Sequence, residues 1–270
     1  MKDPVGGRIV RPSAIELTDR LSRQRLWDEE PVFCITTDLD WGCESAIEML
    51  LGDLVSAGVT PTVFITHHSG IAEGLFNGGM IERGIHPNFL PGSSHGDSFE
   101  EVIQNCILLA PESEASRSHR AFTVTDISHR LVSLGFLFTS NIVTILQRSL
   151  RPILHESTLV EFPIFLEDGT HLFNSLDLDL DTLAKVLSSP GLKVINFHPM
   201  NYGVNPPALA YMRNIKDTLT RSDYLNMSSS ELKRIRYSGR GIADFSRDLI
   251  AYIQKYRTYT LSELYQMAIS

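Results

Sequence analysis

Four short stretches hold the residues best suited to chemistry: Asp38 with Asp40, His86, Arg117 with His119, and His198. Each stands where a strand-like run stops. Val32-Phe33-Cys34-Ile35-Thr36-Thr37 is apolar and β-branched, and breaks into Asp38-Leu39-Asp40-Trp41-Gly42. At the two-residue period of a strand, positions 38 and 40 point the same way, so the two carboxylates sit side by side. Like charges that close need a cation, a shared proton or a basic neighbour, and burying them without partners is costly.

One carboxylate with two histidines is a standard ligand set for zinc or a similar ion, leaving a position for water. Such an ion lowers the pKa of its water and polarises a carbonyl. A second carboxylate kept ionised by an arginine takes the water's proton, and a histidine across the site protonates a departing amine. That chemistry is amide hydrolysis. Each residue taken singly also has a structural reading: a histidine after a strand often serves only a hydrogen bond, and an aspartate there caps the next helix. The functional reading explains all four positions together.

The elements that must position these groups alternate. Ser13 and Glu16 form a capping-box pattern for a helix to about Trp27. Residues 44–57 carry a helical apolar stripe closed by Gly58. Pro61-Thr62-Val63-Phe64-Ile65-Thr66 reads as a buried strand, and residues 70–79 as a glycine-rich mobile segment. A short strand follows at 83–88, and a helix at 98–109. Another helix spans 126–134, and Phe136-Leu137-Phe138-Thr139 is strand-like. Leu159-Val160-Glu161-Phe162-Pro163-Ile164-Phe165 is strand-like too, but its proline confines it to an edge or a bulge. Residues 181–188 read as helix, and Leu192-Lys193-Val194-Ile195-Asn196-Phe197 as a strong strand ending at His198. Strands alternating with helices, with polar residues at the strand ends, indicate a parallel α/β sheet or barrel whose site lies on the carboxyl-end face. The expected organisation is a single domain over residues 1–270, with 1–12 a loose N-terminal arm and about 206–270 mostly helical.

Bulk properties limit the partners. The 270 residues are 43% hydrophobic and 21% charged, ordinary for a globular chain. A net charge of -8 without a compensating Lys/Arg run argues against nucleic acid. The three cysteines, Cys34, Cys43 and Cys106, lack CxxC spacing and fit a reducing compartment. With neither a secretory pattern nor an apolar window long enough to span a bilayer, the expected location is cytoplasmic.

Thr36-Thr37-Asp38-Leu39-Asp40-Trp41-Gly42 resembles the first motif of the polysaccharide deacetylase superfamily, carbohydrate esterase family 4. The resemblance extends over residues 31–200 and is closest to the divergent branch found with surface-polysaccharide biosynthesis. It implies a distorted (β/α) barrel, with Asp38 as general base and Asp40 as a metal ligand. Gly84-Ile85-His86 is similar to the start of the family's metal-binding motif, but Leu90 stands where that motif has its second histidine. His119 is the first choice for the missing ligand, with Asn88 and His95 the alternatives; His95 ranks lower because its Gly/Ser loop looks flexible. Arg117 matches the arginine that orients the base, and Asn196-Phe197-His198 the closing motif with the catalytic acid. The implied cofactor is one divalent ion, with zinc expected. The implied reaction removes an acetyl or formyl group from an amino sugar, nucleotide- or lipid-linked given the lack of an export signal. Trp41 and Asn88 are expected to contact that substrate. A small-molecule amidase and a catalytically silent binding protein are the alternatives. His67 and His68 are candidates for lining the pocket, whereas His129, His155 and His171 look like surface or loop residues.

Overall fold

The structure is a computed structural model that describes residues 12–270. The expected arm therefore lies outside the described residues, apart from Pro12. Ten strands form one curled sheet: β1 (Pro31–Asp38), β2 (Thr62–Ile65), β3 (Glu82–Ile85), β4 (Ala115–Ser116), β5 (Phe138–Thr139), β6 (Ile153–Leu154), β7 (Val160–Glu161), β8 (Ile164–Glu167), β9 (Gly191–Phe197) and β10 (Thr258–Tyr259). Their order is β6-β7-β5-β4-β3-β2-β1-β9-β8, with β10 also on β1. Among the described residues only β6 runs antiparallel to its neighbour.

β1 is central. β9 follows its whole length, from Pro31↔Gly191 to Thr37↔Phe197. Its other edge is shared: β10 takes Phe33 and Cys34, then β2 takes Thr36 to Asp38. The parallel arrangement brings the carboxyl ends of β1, β3, β4, β8 and β9 to one face, where such folds collect their chemistry.

Among the described residues the two ends of the row share no ladder, but an isolated parallel bridge, Val143↔Ile164, joins β8 to the segment after β5. Only Phe162 and Pro163 separate β7 from β8, and residues 142–146 hydrogen-bond along β8 through Ile142 O, Thr144 N and Leu146 N. Pro163 has no N–H to give, and the β8–β9 register slips between Ile164 and Leu166. The result is a distorted barrel. Outside it, the helix Glu44–Ser56 buries Ile47, Leu50, Leu51 and Leu54 in the core that the strands share, and Ala46 in a second cluster with Met200 and Val204. Each larger side chain there contributes roughly 1.5–3 kcal/mol.

Glu161 ties the closing segment in place: its Oε1 accepts the N–H groups of Asn141 (2.7 Å) and Ile142 (2.8 Å). Burial pushes its carboxyl up to about 7, against those donors and the Arg117 charge. An acid whose pKa is raised on folding contributes stability that is full below its unfolded value, about 4.5, and lost as pH rises through about 7. Thermal denaturation of the wild type between about pH 5 and 8 is therefore expected to show a falling stability that Glu161→Gln flattens. Equal slopes in the two proteins would contradict this account.

Several local expectations need correction. The first helix stops at Ser22, because Arg23 turns extended, and a 3-10 turn covers Leu26–Asp28. Residues 70–77 are not a loose segment but a helix, capped by Ser69 Oγ on the Ala72 N–H. Its glycines are outweighed by that cap and by packing of Ile71, Ala72, Leu75 and Phe76 on the core. His171 is no surface residue: it is buried against the Phe245 ring, with Nε2 2.8 Å from Asp177 O.

Candidate active site

The barrel face holds a cavity of about 440 Å³ whose floor is Asp38, Asp40, His86, Arg117, His119 and His198. The six residues come from four strand ends.

Asp38 closes β1 and is 4% exposed. Its Oδ1 accepts from Arg117 Nη1 at 2.9 Å and its Oδ2 from Asn196 Nδ2 at 3.0 Å. Burial raises its pKa, but the Arg117 charge, followed by His86 and His198, outweighs that and holds the carboxyl below its usual range. Arg117 also donates to four further acceptors: Thr36 Oγ1, Asn196 Oδ1 and the backbone and side-chain oxygens of Ser140. Its guanidinium lies 4.3 Å from the centroid of the Phe64 ring. That ring fits only because position 84 is glycine: a Cβ there would meet it at 2.5 Å. Gly84 thus lets Phe64 support the arginine.

Asp40 lies past the strand, in a turn where it and Trp41 both adopt left-handed backbone, with φ of 46° and 55°. Such strain persists only where surroundings enforce it, and it collects at functional sites. Here the Gly42 N–H donates to Leu39 O, and the Trp41 N–H donates to Thr66 Oγ1. The turn swings Asp40 Oδ1 to 3.1 Å from His86 Nε2 and 2.9 Å from His119 Nδ1. Burial pushes its carboxyl up, but the hydrogen bonds to His119 and His86 outweigh it, leaving the pKa well below the usual range. His119 starts a tight turn in which Arg120 and Ala121 are also left-handed, and its N–H donates to Pro87 O.

These three side chains form a group whose ligand atoms lie within 4.8 Å of one another. One carboxylate oxygen and two ring nitrogens suit a divalent ion of the zinc type. His86 supplies a second sign of fit: its Nδ1 is buried with no hydrogen-bond partner, 4.0 Å from Asp38 Oδ1. Were Nε2 to hold an ion, Nδ1 would carry the proton on the side of that carboxylate, the arrangement common in ligating histidines.

Across the cavity, His198 Nε2 lies 3.8 Å from Asp38 Oδ2 and 3.7 Å from Asp40 Oδ2. Its Nδ1 lies 2.6 Å from Asp168 Oδ1, and its N–H donates to the same carboxylate. Burial pulls its pKa down, but Asp168, then Asp40 and Glu167, push it up to about 10. Sequence reasoning missed Asp168, Glu167 and Asn196. Glu167 ends β8 just as Asp38 ends β1, so a proline-bearing strand closing in an acid pair was the available signal. Asn196, a polar residue inside an apolar strand, was another.

Of the other expected residues, Trp41 is half-buried, its ring 5.2 Å from that of His119 and beneath the Arg221 guanidinium. Asn88 is buried, and its Oδ1 accepts the Leu90 N–H rather than facing the cavity. Neither His67 nor His68 is among the cavity-lining residues. The loop carrying His95 is packed, not loose. His95 is buried, with Nδ1 accepting the Asn88 N–H (3.1 Å) and Nε2 2.7 Å from Thr66 O. Both ring nitrogens are thus committed to backbone groups. His95→Ala is expected to keep the metal content of the wild type while destabilising the fold by about 2–6 kcal/mol, the cost of leaving two buried backbone groups unsatisfied. Elemental analysis beside a denaturation curve checks this, and loss of metal would contradict it.

Residues 35–216 match the family model described as WbmS-like polysaccharide deacetylase, more than half of the chain. The chain belongs to that family. A Bordetella bronchiseptica structure, described as a candidate polysaccharide deacetylase involved in O-antigen biosynthesis, has the same fold: TM-score 0.71 at 24% identity, covering 82% of this chain and 90% of that one. A candidate polysaccharide deacetylase from Mycobacterium smegmatis gives TM-score 0.45 at 14% identity, covering 88% and 94%. A family 4 carbohydrate esterase from Bacillus anthracis gives 0.43 at 12%, covering 97% and 95%. No curated protein matches the chain. Among the described residues, no helix is long and apolar enough to cross a membrane.

Proposed function

We propose that this protein removes an N-acyl group, acetyl or formyl, from an amino sugar, using one divalent ion held by Asp40, His86 and His119. Zinc is the expected ion and the cytoplasm the expected site of action; Cys34, Cys43 and Cys106 are all free thiols. The observation that supports the reading most is the meeting of that ligand group with two oriented proton-transfer groups, Asp38 on Arg117 and His198 on Asp168, around one cavity. The family's deacetylase description agrees with it.

A divalent ion in that group supplies Lewis-acid polarisation of the amide carbonyl and makes a water easier to deprotonate. Asp38 takes the proton of the attacking water at a carboxylate oxygen, while Arg117 and Asn196 fix its orientation. His198 gives the proton on Nε2 to the departing amine nitrogen, while Asp168 holds the opposite edge of its ring. The C–N bond breaks, and the products are a free amino sugar and acetate or formate.

The test is release of primary amine from N-acetyl and N-formyl hexosamine glycosides by protein reconstituted with zinc. Amine and carboxylic acid appearing in equal amounts are expected. No release from any amino sugar at full metal occupancy would overturn the reading in favour of a binding protein.

A further inference from the structure

The cavity that holds Asp38, Asp40, Arg117 and His198 is also lined by three cations outside that group. Arg120 lines it from the turn after β4, and Arg213 and Lys216 line it from the helix Leu209–Thr218. Leu209, Met212, Arg213 and Lys216 all line the cavity, and their spacing of three and four places them on one helix face. Like charges three residues apart disfavour a helix slightly unless an anion lies between them. Among the described residues none of the three cations has an ion-pair or hydrogen-bond partner; Lys216 only leans over the Tyr224 ring. Elsewhere on this chain of net charge -8, Arg83 pairs with Glu112, Arg240 with Asp248 and Arg247 with Asp53, whereas Arg148 and Arg234 each stand unpaired among the described residues; what sets Arg120, Arg213 and Lys216 apart is that three such cations line one cavity. Arg120 is moreover held in left-handed backbone, with φ of 57°.

Three unpaired cations from two separate elements, lining one cavity, suit an anion. We propose that Arg120, Arg213 and Lys216 bind a phosphate or diphosphate that links the amino sugar to its carrier. The charge of a diphosphate is spread over several oxygens and suits three separated cations better than a single carboxylate does. The proposal rests on the reading of the floor as the site of sugar-amide cleavage. A nucleotide and a lipid carrier present the same diphosphate chemistry to these residues.

The experiment is calorimetric titration with three probes: UDP-N-acetylglucosamine, farnesyl-diphosphate-linked N-acetylglucosamine and the neutral methyl glycoside. The proteins are the wild type, Arg213→Ala/Lys216→Ala, Arg120→Ala, and Lys233→Ala/Arg234→Ala, which removes two exposed cations outside the cavity lining. Wild type is expected to bind at least one phosphorylated probe about tenfold or more tighter than the neutral glycoside, with an advantage that shrinks in high salt. The first double variant loses that advantage, Arg120→Ala loses part of it, and the last variant keeps it. Preference for the nucleotide or for the prenyl probe identifies the carrier, and either supports the subsite. Equal binding of all probes by the wild type, or equal loss in both double variants, would overturn it. If the advantage is present but no probe releases an acyl group, the hydrolase reading fails and the anion site stands. If neutral and phosphorylated sugars are cleaved with the same kcat/KM, the anion site fails and the hydrolase reading stands.

Discussion

Asp38→Asn is expected to lower kcat roughly 10³-fold, the usual scale for losing a general base, while leaving the metal content unchanged. The substitution keeps size and shape but removes the negative charge and the second acceptor oxygen. Asn196 Nδ2, which donates to Asp38 Oδ2, would face another donor in one amide orientation, and Arg117 would lose its counter-charge in either. Some loss of stability therefore accompanies the loss of rate. Measuring kcat and metal stoichiometry on protein shown to be folded by circular dichroism separates the two effects. A fall of less than about tenfold would mean that another group takes the proton. Glu167, within 4.8 Å of Asp38 and His198 through its carboxylate, would be the first to examine.

Arg117→Met is expected to be the most destabilising single change at the site, by about 3–5 kcal/mol near neutral pH. Arg117 is 2% exposed and joins Thr36 and Asp38 of β1, Asn196 of β9 and Ser140 beyond β5. Methionine matches its stem but leaves the Asp38 carboxylate buried without a cation, and three strands lose their common tie. Arg117→Lys restores the charge without the planar fork and should recover only part of the loss. Urea denaturation of the three proteins tests this. A loss under about 1 kcal/mol for Arg117→Met would show that the carboxylate is stabilised by something other than the arginine.

Much of this architecture is legible in the sequence because Asp38 and His198 follow apolar runs that stop abruptly. Valine, isoleucine and phenylalanine before Asp38 and His198 mark buried strands, His86 follows the shorter run Glu82-Arg83-Gly84-Ile85, and the parallel pattern then requires their ends to share a face. His119 is harder to read. It follows a strand of only two residues, and its approach to Asp40 depends on left-handed turns at 40–41 and 120–121 that no local propensity favours. Asp168 and Glu167 were missed because Pro163 and a bulge obscure the period of β8. His95 was misjudged because glycine and serine neighbours suggest mobility, while its burial comes from long-range bonds to Thr66 and Asn88. β10 pairs only two residues with β1, too short a stretch to carry a pattern.

Metal content per chain, measured by elemental analysis after zinc reconstitution of the wild type and His119→Ala, tests the central claim most directly. The account predicts about one ion per wild-type chain and a loss of that ion in His119→Ala, because an open catalytic zinc site commonly rests on three protein ligands. No bound ion in the wild type, or equal content in both proteins, would contradict the assignment of Asp40, His86 and His119 as the ligand set.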